Sequence, residues 1–187
     1  MKPPGAVRLR VEPADLAVAM RACARHHRHL PHVVGGLCAW QVLRLDRAAP
    51  QLGLFGATLG EPCAWAIVGR PVARLLDADG WAELTRSVCP EGAPPGCASA
   101  LLGAVARWSR VSGQPVVTYT LEHEPGGSLR GAGWVQVGTT RGGQADRPSR
   151  PRQLRPAAIA APKRRWVPPH VLDIAIARGW TPMERAA

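Results

Sequence analysis

The spacing of apolar residues changes several times along the chain, and each change predicts an element. Residues 6–11 predict a short strand. Leu16, Met20, Cys23 and His27 then recur on one face of a helix expected over about 14–27, with Pro13 suited to its first turn. Pro31 stops that helix and leaves the basic cluster His26-His27-Arg28-His29 at its end. Segments 37–45 and 63–68 are rich in Trp, Val, Ile and Leu. The Pro- and Gly-containing stretch between them predicts an antiparallel hairpin with a long connection. A fourth strand is predicted over 82–89, followed by a turn-rich stretch from Pro90 to Gly96. Over 97–110, Leu101, Val105 and Trp108 share a face, with Ala98 and Leu102 beside it, which predicts a helix that Gly113 ends. Residues 115–121 predict a strand, 125–133 a short helix and 134–139 a further strand.

The pattern then fades. Arg141, Arg147, Arg150, Arg152, Arg155, Lys163, Arg164 and Arg165 accumulate among prolines over 141–165, so extended or disordered chain is expected there. A last helix over 169–178 carries Val171, Leu172, Ile174 and Ile176, which predict that it docks. This order predicts an α+β domain over 1–140, with a mixed central sheet and helices on both faces. A basic Arg/Pro-rich extended segment over 141–167 and a C-terminal helix and tail over 168–187 follow.

Composition narrows the class. The 187 residues, 46% of them hydrophobic, suit one domain with a true core. No apolar run is long enough to span a membrane, and the first residues lack a secretory signal, so a cytoplasmic protein without membrane association is expected. Five cysteines without C-x-x-C spacing argue for reduced thiols over a disulfide framework or a four-cysteine zinc site. The net charge is +11, and Lys2 and Lys163 are the only lysines, so the basicity is almost entirely arginine. Such a surface attracts polyanions, DNA among them; it is also what a GC-rich coding source produces.

The turn before the 97–110 helix carries the clearest chemistry. Gly92 and Gly96 let backbone approach a ligand closely. The helix start offers amide donors from Cys97 to Ala100, backed by the positive end of the helix dipole, and Ser99 adds a hydroxyl. Such an arrangement binds pyrophosphate, although an ordinary loop before a helix has the same composition. A Walker lysine and a Gly-x-Gly-x-x-Gly fingerprint are both absent.

Over about 6–140 the element order resembles the GNAT fold of acetyl-CoA-dependent N-acyltransferases. In that family a strand carries the acyl-group contacts, and a glycine-containing loop and helix hold the pyrophosphate. A later strand and short helix end in a small-residue–Gly–aromatic sequence. Glu83-Leu84-Thr85-Arg86-Ser87-Val88-Cys89 looks like that strand and 90–99 like that loop. Ser128-Leu129-Arg130-Gly131-Ala132-Gly133-Trp134 looks like the later signature. Pro94-Pro95 departs from the common Arg/Gln-x-x-Gly-x-Gly/Ala pattern. The resemblance implies acetyl-CoA held by Val88, Cys89, Gly92, Gly96, Cys97, Ala98, Ser99 and Ser128. More narrowly, Arg25 to His29, Val68 to Arg74, Glu83 to Arg86, Thr118 to Leu121, Gly127 to Arg130 and Arg147 to Arg152 resemble a group of phage and prophage proteins. That group is distantly similar to Mom, which modifies the exocyclic amine of adenine in DNA and blocks restriction. The resemblance implies a DNA base modifier, and it makes iron a candidate cofactor through the histidine pair His26-His27 after the first helix.

Four residues are the catalytic candidates. His26 and His27 suit a general base or a metal site, and His27 also fits a core histidine on its apolar stripe. Tyr119 suits protonation of a leaving thiolate, or simple packing. Glu83 and Arg86, if buried, demand partners, and Glu83 could orient or deprotonate a histidine or form a structural salt bridge. Nucleic-acid contacts are expected from Arg28, His29, Arg70, Arg74, Arg147, Arg150, Arg152, Arg164 and Arg165. Trp166 would either stack on a base or anchor the final helix. Three functions fit: an acyl-CoA-dependent DNA modifier, a conventional N-acetyltransferase for a peptide or small amine, and a non-catalytic nucleic-acid-binding scaffold. A homodimer is open, because the last helix could fold onto its own domain or onto another copy.

Overall fold

The computed structural model describes residues 7–27, 35–45, 60–141 and 161–183. Arg28, His29, Arg147, Arg150 and Arg152 lie outside them. In chain order the elements are β1 (Arg8–Ala14), α1 (Leu16–His26), β2 (Cys38–Leu45), β3 (Glu61–Gly69), α2 (Arg74–Ala78), β4 (Ala82–Val88), α3 (Cys97–Ser112), β5 (Val116–Leu121), α4 (Gly127–Gly131), β6 (Val135–Thr140) and β7 (Lys163–Val167). A 3-10 turn, Pro169–Val171, leads into α5 (Leu172–Ala177). The strands form one seven-stranded sheet in the order β1-β2-β3-β4-β5-β7-β6. Its only parallel pair among the described residues is β4 with β5.

The sheet separates two cores. Leu101, Leu102 and Val105 of α3 pack on Val42, Ala64, Ala66, Val68, Ala82 and Leu84. On the other face Ala19 and Cys23 of α1 pack on Ala39, Ile67 and Val88. Further along that second face, Leu76 of α2 and Val171 and Ala175 of the C-terminal turn and helix cover Val117, Val137 and Val167. Burying the Val, Leu and Ile side chains among them stabilises the fold by roughly 1.5–3 kcal/mol each. No helix among the described residues is long and apolar enough to cross a membrane.

Several sequence expectations shift. The first strand runs on through Pro13 to Ala14, and the helix starts at Leu16. Pro13 is tolerated because β1 is an edge strand. Asp15 sets the helix start, its carboxylate accepting the Val18 N–H at 2.9 Å. The short helix α2 was not anticipated; five residues are too few for a periodic signal. The stretch expected to be extended as far as 165 contains most of β7, which is inserted between β5 and β6. Trp166 on that strand is 1% exposed and cannot stack on a base; it is a core residue. The last helix docks on its own domain through Val171 and Ala175, whereas Ile174 and Ile176 stay exposed. Ser109 Oγ donates to the Gln114 carbonyl at 2.6 Å and lies 3.1 Å from His170 Nε2, which ties the 3-10 turn to the end of α3.

Candidate active site

The centre of the sheet opens by design of its ladder. β4 and β5 pair only at Ala82↔Val116 and Glu83↔Val117, although β4 runs on to Val88 and β5 to Leu121. At the next register the Thr118 hydroxyl donates to the Leu84 carbonyl at 2.9 Å, so a side chain replaces the backbone bond. Beyond it the two strands part. Each keeps its outer neighbour, β4 pairing with β3 and β5 with β7.

On the α3 side of this opening lies the turn from Cys89 to Gly96. Gly92 and Gly96 have φ of 81° and 91°, left-handed conformations that favour glycine. A Cβ at Gly92 would meet nothing within 4 Å, so the backbone there is unobstructed. Gly96 is the N-cap of α3 and brings no side chain to cap it. The Cys97 N–H turns back to the Pro94 carbonyl at 3.3 Å. The Ala98 and Ser99 amides belong to the first turn, where a helix supplies no internal acceptor, and the positive end of a 16-residue helix backs them. Ser99 Oγ donates to the Ser128 carbonyl at 3.4 Å, which joins α3 to α4. Val88 and Cys97 are buried, so what they offer a ligand is backbone. Cys97 Sγ lies 3.6 Å from Cys63 Sγ, and burial pushes the Cys63 thiol up to about 12, so it stays protonated. These residues fit a diphosphate-bearing cofactor: an open glycine turn, an uncapped helix start and no carboxylate cap to repel an anion.

The opposite face carries the titratable groups. Glu83 and Arg86 are three residues apart, which would put them on opposite faces of a regular strand. The register slips between Ile67 and Val68, so Thr85 bulges and both residues turn to the α1 face, opposite Gly69 and Ile67. Glu83 Oε2 accepts the Val72 N–H at 3.1 Å. Burial pushes the Glu83 carboxyl up, against the smaller opposing pull of that bond, Arg86 and Lys163. Tyr119 lies on the same face, paired with Arg165 across β5 and β7. Burial and the charge of Glu83 raise its phenol, and a hydrogen bond from Arg165 opposes them. The Arg165 guanidinium lies 4.0 Å from the centre of the Trp180 ring, which in turn packs 5.0 Å from Trp81.

The structure therefore brings Glu83 and Tyr119 together and adds Lys163, Arg165 and Trp180, which sequence reasoning did not assign to this site. The signal was available in the alternation of Lys163, Arg165 and Val167, but it becomes legible only once β7 is recognised as a strand. Arg164 and Arg165 belong to strand β7 and not to irregular chain. Arg70 is exposed ahead of α2, and Arg74 is exposed as its first residue. His26 is exposed at the end of α1, and His27 is its half-buried C-cap, with its N–H bonded to the Cys23 carbonyl at 2.9 Å. Among the described residues no group of three or more His, Cys, Asp or Glu is arranged to hold a metal.

No family model matches the chain. No curated protein matches it in sequence. Solved structures do match in shape. A polyamine N-acetyltransferase from Drosophila melanogaster superposes with a TM-score of 0.53 at 12% identity, over 86% of this chain and 99% of that one. The ribosomal-protein-S18-alanine N-acetyltransferase from Escherichia coli gives 0.51 at 9% identity, over 96% and 97%. An acetyltransferase of the GNAT family from Streptococcus pneumoniae gives 0.50 at 11%, over 86% and 99%. The chain has the GNAT fold, an α+β architecture with a mixed, open seven-stranded sheet.

Proposed function

We propose that the protein is an N-acyltransferase that draws on acetyl-CoA and acts on an ordinary amine. One observation carries this reading. The gap between β4 and β5 has an uncapped, glycine-lined helix start on one face and the Glu83–Tyr119 pair on the other. The amides of Ala98 and Ser99, with the backbone of 88–97, would hold the diphosphate. Acetyl-CoA, when bound, supplies an acyl group activated as a thioester. Glu83, its carboxyl made a stronger base by burial, takes the proton that the amine loses as the N–C bond forms. Tyr119, kept protonated by burial, gives its phenolic proton to the departing sulfur, and the Arg165 hydrogen bond steadies the oxygen that remains. The products are an amide and a free thiol, and exchange with solvent removes the proton gained by Glu83 and restores the one lost by Tyr119.

The adenine-amine reading draws less support. Trp166, its candidate for base stacking, is buried, and Arg28, His29 and the arginines of 147–152 lie outside the described residues. The test is acetylation of a panel of primary amines, followed by mass spectrometry of the products. Glu83→Gln is expected to slow the reaction by about 10²–10⁴-fold. Failure to acetylate any amine, or a new modified nucleoside in DNA from cells expressing the protein, would overturn the proposal.

A further inference from the structure

The charges around Glu83 and Tyr119 are unequal. Arg86 and Lys163 act on Glu83, while Arg165 and Arg178 act on Tyr119. Arg178 is committed to Asp79 by an ion pair. Arg86 and Lys163 therefore face the carboxylate of Glu83, while Arg165 faces the phenol of Tyr119. Arg165 is the informative one. No carboxylate among the described residues lies within ion-pair distance of it. Its guanidinium is held against Trp180 and hydrogen-bonded to Tyr119, so it is fixed in place before any ligand arrives. Its Nε is buried with no hydrogen-bond partner. An arginine stacked on an aromatic ring and left without a counter-ion beside a proton-transfer pair suits recognition of an anion.

We infer that the acceptor is a small amine that also carries an acidic group, a carboxylate or a phosphate, and that Arg165 binds that group. This inference rests on the N-acyltransferase reading and names its substrate class. The amine is then directed toward Glu83 and the acid toward Arg165. The acid gives Arg165 a counter-ion, and the net charge of +11 draws such a substrate in.

The test measures binding by calorimetry, independent of turnover, with matched probes. 4-Aminobutyrate is compared with butylamine, and phosphoethanolamine with ethanolamine. At least one acid-bearing probe is expected to bind roughly tenfold or more tightly than its neutral partner, and the preferred pair separates carboxylate from phosphate. Arg165→Gln should bring the ratio close to one, and Arg165→Lys, which keeps the charge, should restore much of it. Equal binding of acidic and neutral amines to the wild-type protein overturns the inference, as does a preference that survives Arg165→Gln. Acetylation of amines with no preference for the acid sinks this inference alone. No binding and no acetylation of any amine sinks it together with the reading on which it rests. Tighter binding of a DNA oligonucleotide than of any acidic amine also counts against a small acceptor.

Discussion

Gly126 immediately precedes α4 with φ of 67°, and its Cα rests against the indole of Trp166. A Cβ added there would stand 2.5 Å from Cζ2, 2.9 Å from Cη2 and 3.3 Å from Cε2 of that ring. The ring has little freedom to yield. It is 1% exposed, its Nε1–H donates to Thr120 Oγ1 at 3.0 Å, and the Arg130 guanidinium lies 5.2 Å from the ring centre. Gly126→Ala therefore incurs two costs. An L-residue in the left-handed region costs about 1–2 kcal/mol. Overpacking a filled core costs about 1–3 kcal/mol more. Gly113→Ala isolates the first cost, because Gly113 has φ of 70° and open space around its missing Cβ. Urea denaturation followed by circular dichroism should show Gly126→Ala less stable than Gly113→Ala by about 1–3 kcal/mol. For 187 residues each kcal/mol lowers Tm by roughly 2–4 °C. Equal destabilisation by the two substitutions would refute the packing of Trp166 against the start of α4, and with it the position of β7 beside β5.

Other expectations follow from single contacts. Glu83 has a folded-state pKa above its unfolded value, so the stability it contributes is complete below the unfolded pKa and is lost as pH rises through the folded one. Glu83→Gln should therefore gain stability relative to wild type as pH rises through that window, and a stability difference that does not change with pH contradicts the assignment. Asp15→Ala removes the cap of α1 and should cost about 1 kcal/mol in chemical denaturation; no change would mean that the Val18 N–H finds another acceptor. Thr118→Val deletes the hydroxyl that bridges β5 to the Leu84 carbonyl and should cost about 1–3 kcal/mol, with faster amide exchange at the start of β5; unchanged exchange would argue that the bridge does not hold the strands.

How much of this was legible in the sequence differs by element. The first helix and the 97–112 helix declared themselves, because each has a clear apolar period. Gly113 ends α3 as the sequence predicts, with φ of 70° at that helix's C-cap. β7 was hidden. Lys163-Arg164-Arg165 presents only polar side chains locally, and what makes it a strand lies far away in sequence, in Thr118, Thr120 and Gln136. The juxtaposition of Glu83 and Arg86 was hidden for another reason. It depends on a bulge at Thr85, a register slip set by pairing with β3 and not by local preference. The candidate site was legible on its α3 side, where Gly92, Gly96 and the helix start are contiguous. It was only half legible on the other side, where Tyr119 was singled out without Arg165, Lys163 or Trp180.

The central claim is that the opening between β4 and β5 holds a coenzyme A thioester with its diphosphate on the start of α3. Calorimetric titration of wild type and Ala98→Glu with coenzyme A tests it most directly. An acidic side chain in the first turn suits the helix itself, so the variant is expected to keep its fold while repelling the diphosphate. The account predicts saturable binding of one coenzyme A by the wild-type protein, weakened roughly tenfold or more in the variant. No binding by the wild-type protein, or equal binding by both, would contradict it.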